Sequence, residues 1–427
     1  MAQGALPGFR DFYPEQFAER AYIMDVWRSV LRRYAFVEYD GPPLEPLDLY
    51  RKKSGDELVG QLYSFTDKGD REVAMRPEMT PTFARMVAAR ANALRKPVRW
   101  FSIPQLFRYE RQQKGRLREH FQLNADIVGE PAVTADAELL ALALDVMREF
   151  GLSEVDVNAK VSDRRLLQAL LEHAGVSAAA LGPVYGVIDK LGREPADVSR
   201  DKLIGATNSD AIASRILELI RIDDLQTLAT ELKDAPALTP HVERMREYLG
   251  YVAALGFAGW IRLDLSIVRG LAYYTGTVFE LFDTVGEFRA ICGGGRYDTL
   301  LETLGGVDLP ALGFGMGDVV LGELLRKRGL FPPTAARTDF WVASGDDVAI
   351  TDVMAVAAQL RQSGRSVEYA LKPQQLSRQL KAAGAAGAEN AVLLSSRSLS
   401  EGRVTIKDLR SGDERALPLA DLVNSMK

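Results

Sequence analysis

Residues 107–127, FRYERQQKGRLREHFQLNADI, constrain the fold more than any other stretch. Phe107 and Tyr109 alternate with Arg108 and Glu110, and Phe121, Leu123, Ala125 and Ile127 alternate with Gln122, Asn124 and Asp126. Period-two alternation on either side of a polar, basic loop, Gln112-Gln113-Lys114-Gly115-Arg116, predicts a β-hairpin. Successive side chains of a strand point to opposite faces, so Arg108, Glu110, Gln122, Asn124 and Asp126 share one face. Taken alone, that face is the wet side of an antiparallel sheet. The rest of the chain gives reasons to read it as a site.

A chain of 427 residues exceeds one ordinary core, so two or three domains are expected. Apolar residues at 47% and charged residues at 26% fit a soluble globular protein. The single cysteine, Cys292, excludes an intramolecular disulfide and a Cys-based zinc site, and it fits a reducing compartment. The opening MAQGALPGFRDFYPEQ has neither a basic n-region nor an apolar run, and no later segment is long and apolar enough to span a bilayer, so a cytoplasmic protein is expected. A net charge of −5 argues against nucleic-acid binding through overall basicity but leaves room for local basic patches.

Pro14 opens a helix whose apolar stripe runs through Ile23, Val26, Trp27, Val30, Leu31 and Tyr34. Short strands are expected at 36–39, 72–75 and 98–103. The second feeds Arg76-Pro77-Glu78-Met79-Thr80-Pro81, where prolines stiffen a loop that presents Glu78 and Thr80, with a helix beginning near Thr82. Thr134 is placed to cap an amphipathic helix ending at Gly151. From 160 to 254 helical patterns dominate, including one capped near Ser209, and this stretch reads as an insertion. Strand alternation returns at 261–265 and 278–282. Glycine-rich pieces follow at Cys292-Gly293-Gly294-Gly295-Arg296-Tyr297-Asp298, whose glycines suit a tight bend, and at Gly313-Phe314-Gly315-Met316-Gly317-Asp318. Beyond a linker at 331–334, strands and helices alternate to 427, which indicates a small separate α/β domain from 336.

The glycine pieces have neither the spacing of a dinucleotide fingerprint nor that of a P-loop. Arg108, Arg116, Arg269 and Arg296 all lie beside turns or on polar strand faces. Guanidinium forks match phosphate and carboxylate oxygens in pairs, which suggests a polyphosphate or carboxylate substrate. Glu78, Glu110 and Asp126 suit a cationic or N–H-rich group, and Tyr273-Tyr274 suit a flat ring or a phenol hydrogen bond.

Together these pieces resemble the class II aminoacyl-tRNA synthetases, specifically the histidyl family. Arg76 to Thr80 (RPEMT) resembles its RPEGT loop, and FRYERQQKGRLREHFQLNAD its second motif. VRGLAYYTGTVFE resembles its histidine signature, CGGGRYD and ALGFGMG its approach to the third motif, and GRVTIKDLRSGDE a stretch of its C-terminal domain. The resemblance implies an α+β catalytic domain over 1–330, built on an antiparallel sheet flanked by helices, with the helical insertion at 160–254 inside it. It also implies a C-terminal α/β anticodon-binding domain at 336–427. It implies histidine activation with ATP, then transfer to tRNA(His), in a homodimer formed through the first helix and 37–43.

Carried over residue by residue, Arg108 and Arg269 act on the reacting phosphate and the histidine carboxylate. Glu78, Thr80 and Gln122 take the α-amino group; Asp126 and Tyr274 hold the imidazole, beside Tyr273. Arg108, Glu110, Arg116, Gly315 and Gly317 bind ATP, whose phosphates carry Mg²⁺, with no protein metal site expected. Arg111 and Gln113 touch the tRNA acceptor end. The chain departs from the family at Ala272, usually Asp, and at Val319-Val320, usually Glu-Arg, where the arginine stacks on adenine; Arg289 is a candidate replacement. The rival reading is the silent paralogue that serves as regulatory subunit of an ATP phosphoribosyltransferase.

Overall fold

The computed structural model describes residues 4–51, 60–110, 115, 117–268, 273–333 and 338–423. The chain forms two compact units, Met1–Pro332 and Pro333–Lys427. Strands of the first unit are β1 (Val37–Glu38), β2 (Leu44–Pro46), β3 (Ser64–Thr66), β4 (Glu72–Met75), β5 (Val98–Ser102), β6 (Gln105–Phe107), β7 (Glu119–Val128), β8 (Val157–Asp163), β9 (Ile261–Leu263), β10 (Thr277–Asp283), β11 (Cys292–Arg296) and β12 (Ala311–Gly317). The main sheet has the order β1-β5-β7-β12-β11-β10-β8-β9, with β6 also paired to β7, and β2-β4-β3 form a small second sheet.

Pairing is antiparallel across the centre of the main sheet, as expected. At its two margins, β1–β5 and β8–β9 are parallel. Each of those partners returns after a long connection, which a parallel pair requires. The hairpin is present but short on one arm: β6 stops at Phe107, opposite Glu119. Beyond it the Tyr109 N–H turns away to donate to the Gln61 carbonyl.

Alternation along β7 sorts its side chains as the sequence predicts. Leu123, Ala125 and Ile127 enter the main core, which they share with helices Pro14–Arg33, Val133–Glu149 and Thr239–Ala254. The helix Val133–Glu149 buries Leu140 to Leu144 without interruption, the signature of a helix covered on every side. Its cap is Ala132 in extended backbone, so Thr134 falls inside the first turn instead of capping it, and the helix ends before Gly151 at φ +86°. On the opposite face of the sheet, helices Thr80–Ala88 and Leu300–Gly305 pack with Tyr274, Val278 and Tyr297.

Between β8 and β9 the chain is helical, and Leu167, Leu171, Val184, Ile188, Leu203 and Ile216 make a separate small core there. Ser209 caps Asp210–Ile220 as expected, its side chain accepting from the Ile212 N–H. Among the described residues no helix is long and apolar enough to cross a membrane.

The second unit contains β13 (Phe340–Ser344), β14 (Val367–Tyr369), β15 (Asn390–Leu394), β16 (Arg403–Asp408) and β17 (Glu414–Pro418), in sheet order β14-β13-β15-β16-β17. Its first two pairs are parallel and its last two antiparallel, which is the expected α/β unit ending in a hairpin. Trp341 is buried, as its place in a strand of this core predicts.

Candidate active site

The centre of the sheet presents a bare floor. Register pairs Asp126 with Gly313, Asn124 with Gly315 and Gln122 with Gly317 on β7 and β12, then Gly315 with Gly293 and Gly313 with Gly295 across to β11. Paired residues share a face, so the polar side chains of β7 lie beside glycines of the next two strands. A methyl at Gly315 would stand 2.9 Å from the Gln122 amide carbon, and one at Gly313 would strike the Asp126 carboxylate and approach the Tyr297 hydroxyl at 2.8 Å. Glycine is therefore required here for close approach to neighbouring groups, the positional meaning of glycine inside a strand. The sequence suggested a bend at Gly293–Gly295; these residues instead belong to a central strand.

Above this floor is a cavity of about 250 Å³ lined by Glu78, Thr80, Arg108, Gln122, Asn124, Asp126, Tyr273, Tyr274 and Tyr297, among others. Eight of these nine residues were singled out from sequence alone or by resemblance. A larger cavity of about 710 Å³ is lined by Arg108, Glu110, Gly115, His120, Gln122, Glu280, Arg289, Gly315, Gly317, Val319 and Val320, among others. Arg108, Gln122, Gly293 and Gly315 line both. The two cavities thus meet at the Arg108 guanidinium.

Local backbone chemistry sets each wall. Buried Arg76 donates to the Asp40 carboxylate at 2.7 Å, the Gly41 carbonyl at 2.8 Å and the Gln105 carbonyl at 3.0 Å, so the loop after β4 is tied down. The next carbonyl, that of Pro77, accepts from Arg108 Nε at 2.9 Å and aims its guanidinium. The following helix starts at Thr80, two residues earlier than expected, with Pro81 in its first turn, where a missing N–H costs nothing. Glu110 approaches Arg108 only at 3.8 Å.

Tyr273 and Tyr274 lie 4.5 Å apart between centroids with their rings tilted by 37°, and Tyr297 meets them edge-on at 5.9 and 6.4 Å. The Tyr297 hydroxyl donates to Asp126. Burial, then the charge of Asp126, pushes the Tyr297 phenol well above its usual range, so it remains a protonated donor. His120 behaves oppositely: burial, then Arg108 and Arg10, hold its imidazole down at about 3, and it is neutral.

One sequence candidate leaves the site. Arg296 lies on the core face of β11, 1% exposed, and donates to Asp136 on the central helix at 2.6 Å and to Asp298 at 3.1 Å. It holds the floor to the core and lines neither cavity. Arg111, Gln113, Arg116, Arg269 and Ala272 lie outside the described residues. Glu280 and His120 were not expected here from the sequence, and neither was Tyr297. Its signal was present, a phenol directly after a glycine-rich strand, but only the pairing of β11 with β12 brings it to Asp126.

Known proteins resemble this chain along nearly its full length. Residues 8–317 match the family model for histidyl-tRNA synthetase, and residues 341–427 match one for an anticodon binding domain. The histidine–tRNA ligase of Opitutus terrae is 44% identical over 417 residues, spanning 97% of this chain and 95% of that protein. The chloroplastic/mitochondrial histidine–tRNA ligase of Arabidopsis thaliana is 39% identical over 418 residues, 97% of this chain and 85% of its own. The crystal structure of histidyl-tRNA synthetase from Nostoc sp. PCC 7120 shares the fold with a TM-score of 0.83 at 24% identity, covering 100% of this chain and 99% of that one.

Proposed function

The chain belongs to the histidyl-tRNA synthetase family, and on that premise we propose how its two cavities divide the work of a histidine–tRNA ligase. The smaller cavity takes L-histidine and the larger takes ATP. The observation that carries this division is their junction at Arg108, where a carboxylate held in one meets a phosphate held in the other.

Glu78, Thr80 and Gln122 receive the α-amino group. Asp126 and Tyr274 address the two imidazole nitrogens while Tyr273 walls the ring. A histidine carboxylate oxygen attacks the α-phosphorus of ATP; the bond from that phosphorus to the pyrophosphate oxygen breaks, and histidyl-adenylate and pyrophosphate result. A ribose hydroxyl at the tRNA 3′ end then displaces AMP. Such chemistry needs little covalent help, and positioning with charge stabilisation does most of the work. Arg108 grips the α-phosphate, Arg269 bridges it to the carboxylate, and Arg116 reaches the terminal phosphates. Glu110, Gly315 and Gly317 complete the nucleotide pocket.

Val319 and Val320 stand where the family has Glu-Arg, and Arg289 lines the same cavity. A methyl at Gly115 would lie 3.4 Å from Val320 and 3.9 Å from the Arg289 side chain, so Gly115, Val320 and Arg289 converge. Arg289 is thus, among the described residues, a cation placed to cover adenine, with Arg193 on the same cavity. Among the described residues no three His, Cys, Asp or Glu groups gather as a metal cage. Glu110 and Glu280 on the ATP cavity suit a Mg²⁺ that arrives on the phosphates and takes one or two carboxylates. When bound, the ion would neutralise phosphate charge there.

Arg111 and Gln113 contact the acceptor end, and the unit after Pro332 reads the anticodon. The reaction runs in the cytoplasm, in a homodimer formed through the first helix and 37–43, where β1 is the last strand of the sheet and Val37 is 61% exposed. The match of 341–427 to an anticodon-binding model disfavours the regulatory paralogue. Charging of tRNA(His) with labelled histidine tests the reading: the purified protein is expected to charge it, whereas a regulatory subunit would not.

Gly313→Ala is expected to raise the KM for histidine by about 10²-fold, since a small misplacement of a binding group costs that much. The added methyl displaces Asp126 from its place opposite Tyr297. Pyrophosphate exchange with histidine varied checks this, and the KM for ATP should stay near that of the wild type.

A further inference from the structure

The β7–β12 ladder ends at Gln122 opposite Gly317, yet both walls of the larger cavity continue beyond that pair. On one side His120 lines it, directly after buried Glu119; on the other Val319 and Val320 line it, directly after buried Asp318. A side chain from outside both walls bridges them. Arg10, far away in sequence, donates from Nε to Glu119 at 2.6 Å and from a terminal nitrogen to Asp318 at 2.9 Å. Asp318 in turn accepts the Phe121 N–H at 2.9 Å, replacing the next ladder bond, and Gln105 donates to the other Glu119 oxygen at 2.9 Å. The strap that delivers Arg10 is itself fastened: the Arg118 N–H donates to the Gly8 carbonyl at 2.9 Å, where Gly8 has φ +87°.

We propose that Arg10 is a positioning residue for the nucleotide, its guanidinium fixing the separation of the β7 wall from the start of the helix Asp318–Arg328. This rests on reading the larger cavity as the ATP pocket. Two carboxylates that would otherwise repel each other are held by one planar fork, whose donors are fixed relative to one another. A lysine would supply the charge but not the fork. The site where histidine sits lies on the far side of Gln122, within the intact ladder, so the clamp acts on one substrate and not the other.

The test is histidine-dependent pyrophosphate exchange by the full chain, with ATP and histidine varied separately, in Arg10→Ala, Arg10→Lys and Val320→Trp. Arg10→Ala is expected to raise the KM for ATP about tenfold or more, and Arg10→Lys about three- to fivefold, with the histidine KM within about twofold of wild type. Arg10→Lys, which keeps the charge, gives the answer if Arg10→Ala does not fold. Val320→Trp fills the larger cavity and should raise the ATP KM by itself. If it does, while the Arg10 variants leave the ATP KM unchanged or move both KM values together, the clamp is overturned and the ATP pocket stands. If Val320→Trp leaves the ATP KM unchanged, the pocket assignment falls and takes the clamp with it.

Discussion

Arg108→Ala should lower kcat/KM for histidine activation by about 10³-fold, the scale of removing a guanidinium that stabilises charge on a transferring phosphoryl group. Arg108 is placed for that work: a backbone carbonyl aims it, about a third of its side chain is exposed, and it lines both cavities. The fold should persist, because its strongest partner among the described residues is the Pro77 carbonyl. Arg108→Lys should recover only part of the loss, since an ammonium lacks the paired donors. Exchange assays with circular dichroism on the same samples separate a chemical loss from unfolding. Wild-type exchange in Arg108→Ala would remove the residue from the mechanism.

Asp126→Ala is expected to cost about 10⁴-fold in kcat/KM for histidine while changing the ATP KM little, because a site built to hydrogen-bond its substrate fails by that much when the partner is lost. Asp126 is 5% exposed, on a floor cleared by Gly313 and oriented by the Tyr297 hydroxyl. The same substitution leaves a buried phenol without its acceptor, a stability cost of about 1–3 kcal/mol that thermal denaturation would register. Asp126→Asn keeps the shape and an acceptor for Tyr297, so it should fold normally and still lose histidine. A histidine KM unchanged in Asp126→Asn would place the imidazole elsewhere.

The legible parts of the sequence were those with a local period. Alternation along 121–127 correctly sent Gln122, Asn124 and Asp126 to one face and Leu123, Ala125 and Ile127 to the core. What it could not say is that the face is enclosed, since enclosure comes from Tyr273, Tyr274 and the 77–80 loop, remote in the chain. Glycine read locally signals a turn; Gly293–Gly295 became a strand because two neighbouring strands pair with it. Arg296 was misread for a related reason. Which face it takes depends on the register of β11, and that register turns it toward Asp136. Thr134 missed its cap because helix starts shift by a residue or two with the tertiary setting of the preceding turn.

The meeting of carboxylate and α-phosphorus under two guanidinium groups is tested most directly by a double-mutant cycle on Arg108 and Arg269. Histidine-dependent ATP–pyrophosphate exchange would be measured in wild type, Arg108→Ala, Arg269→Ala and the pair. Groups that act as a unit on one reacting centre are strongly non-additive. Each single variant should therefore lose most of the exchange, and the pair little more than the worse single. Losses that simply multiply, or near-normal exchange in either single variant, would contradict it.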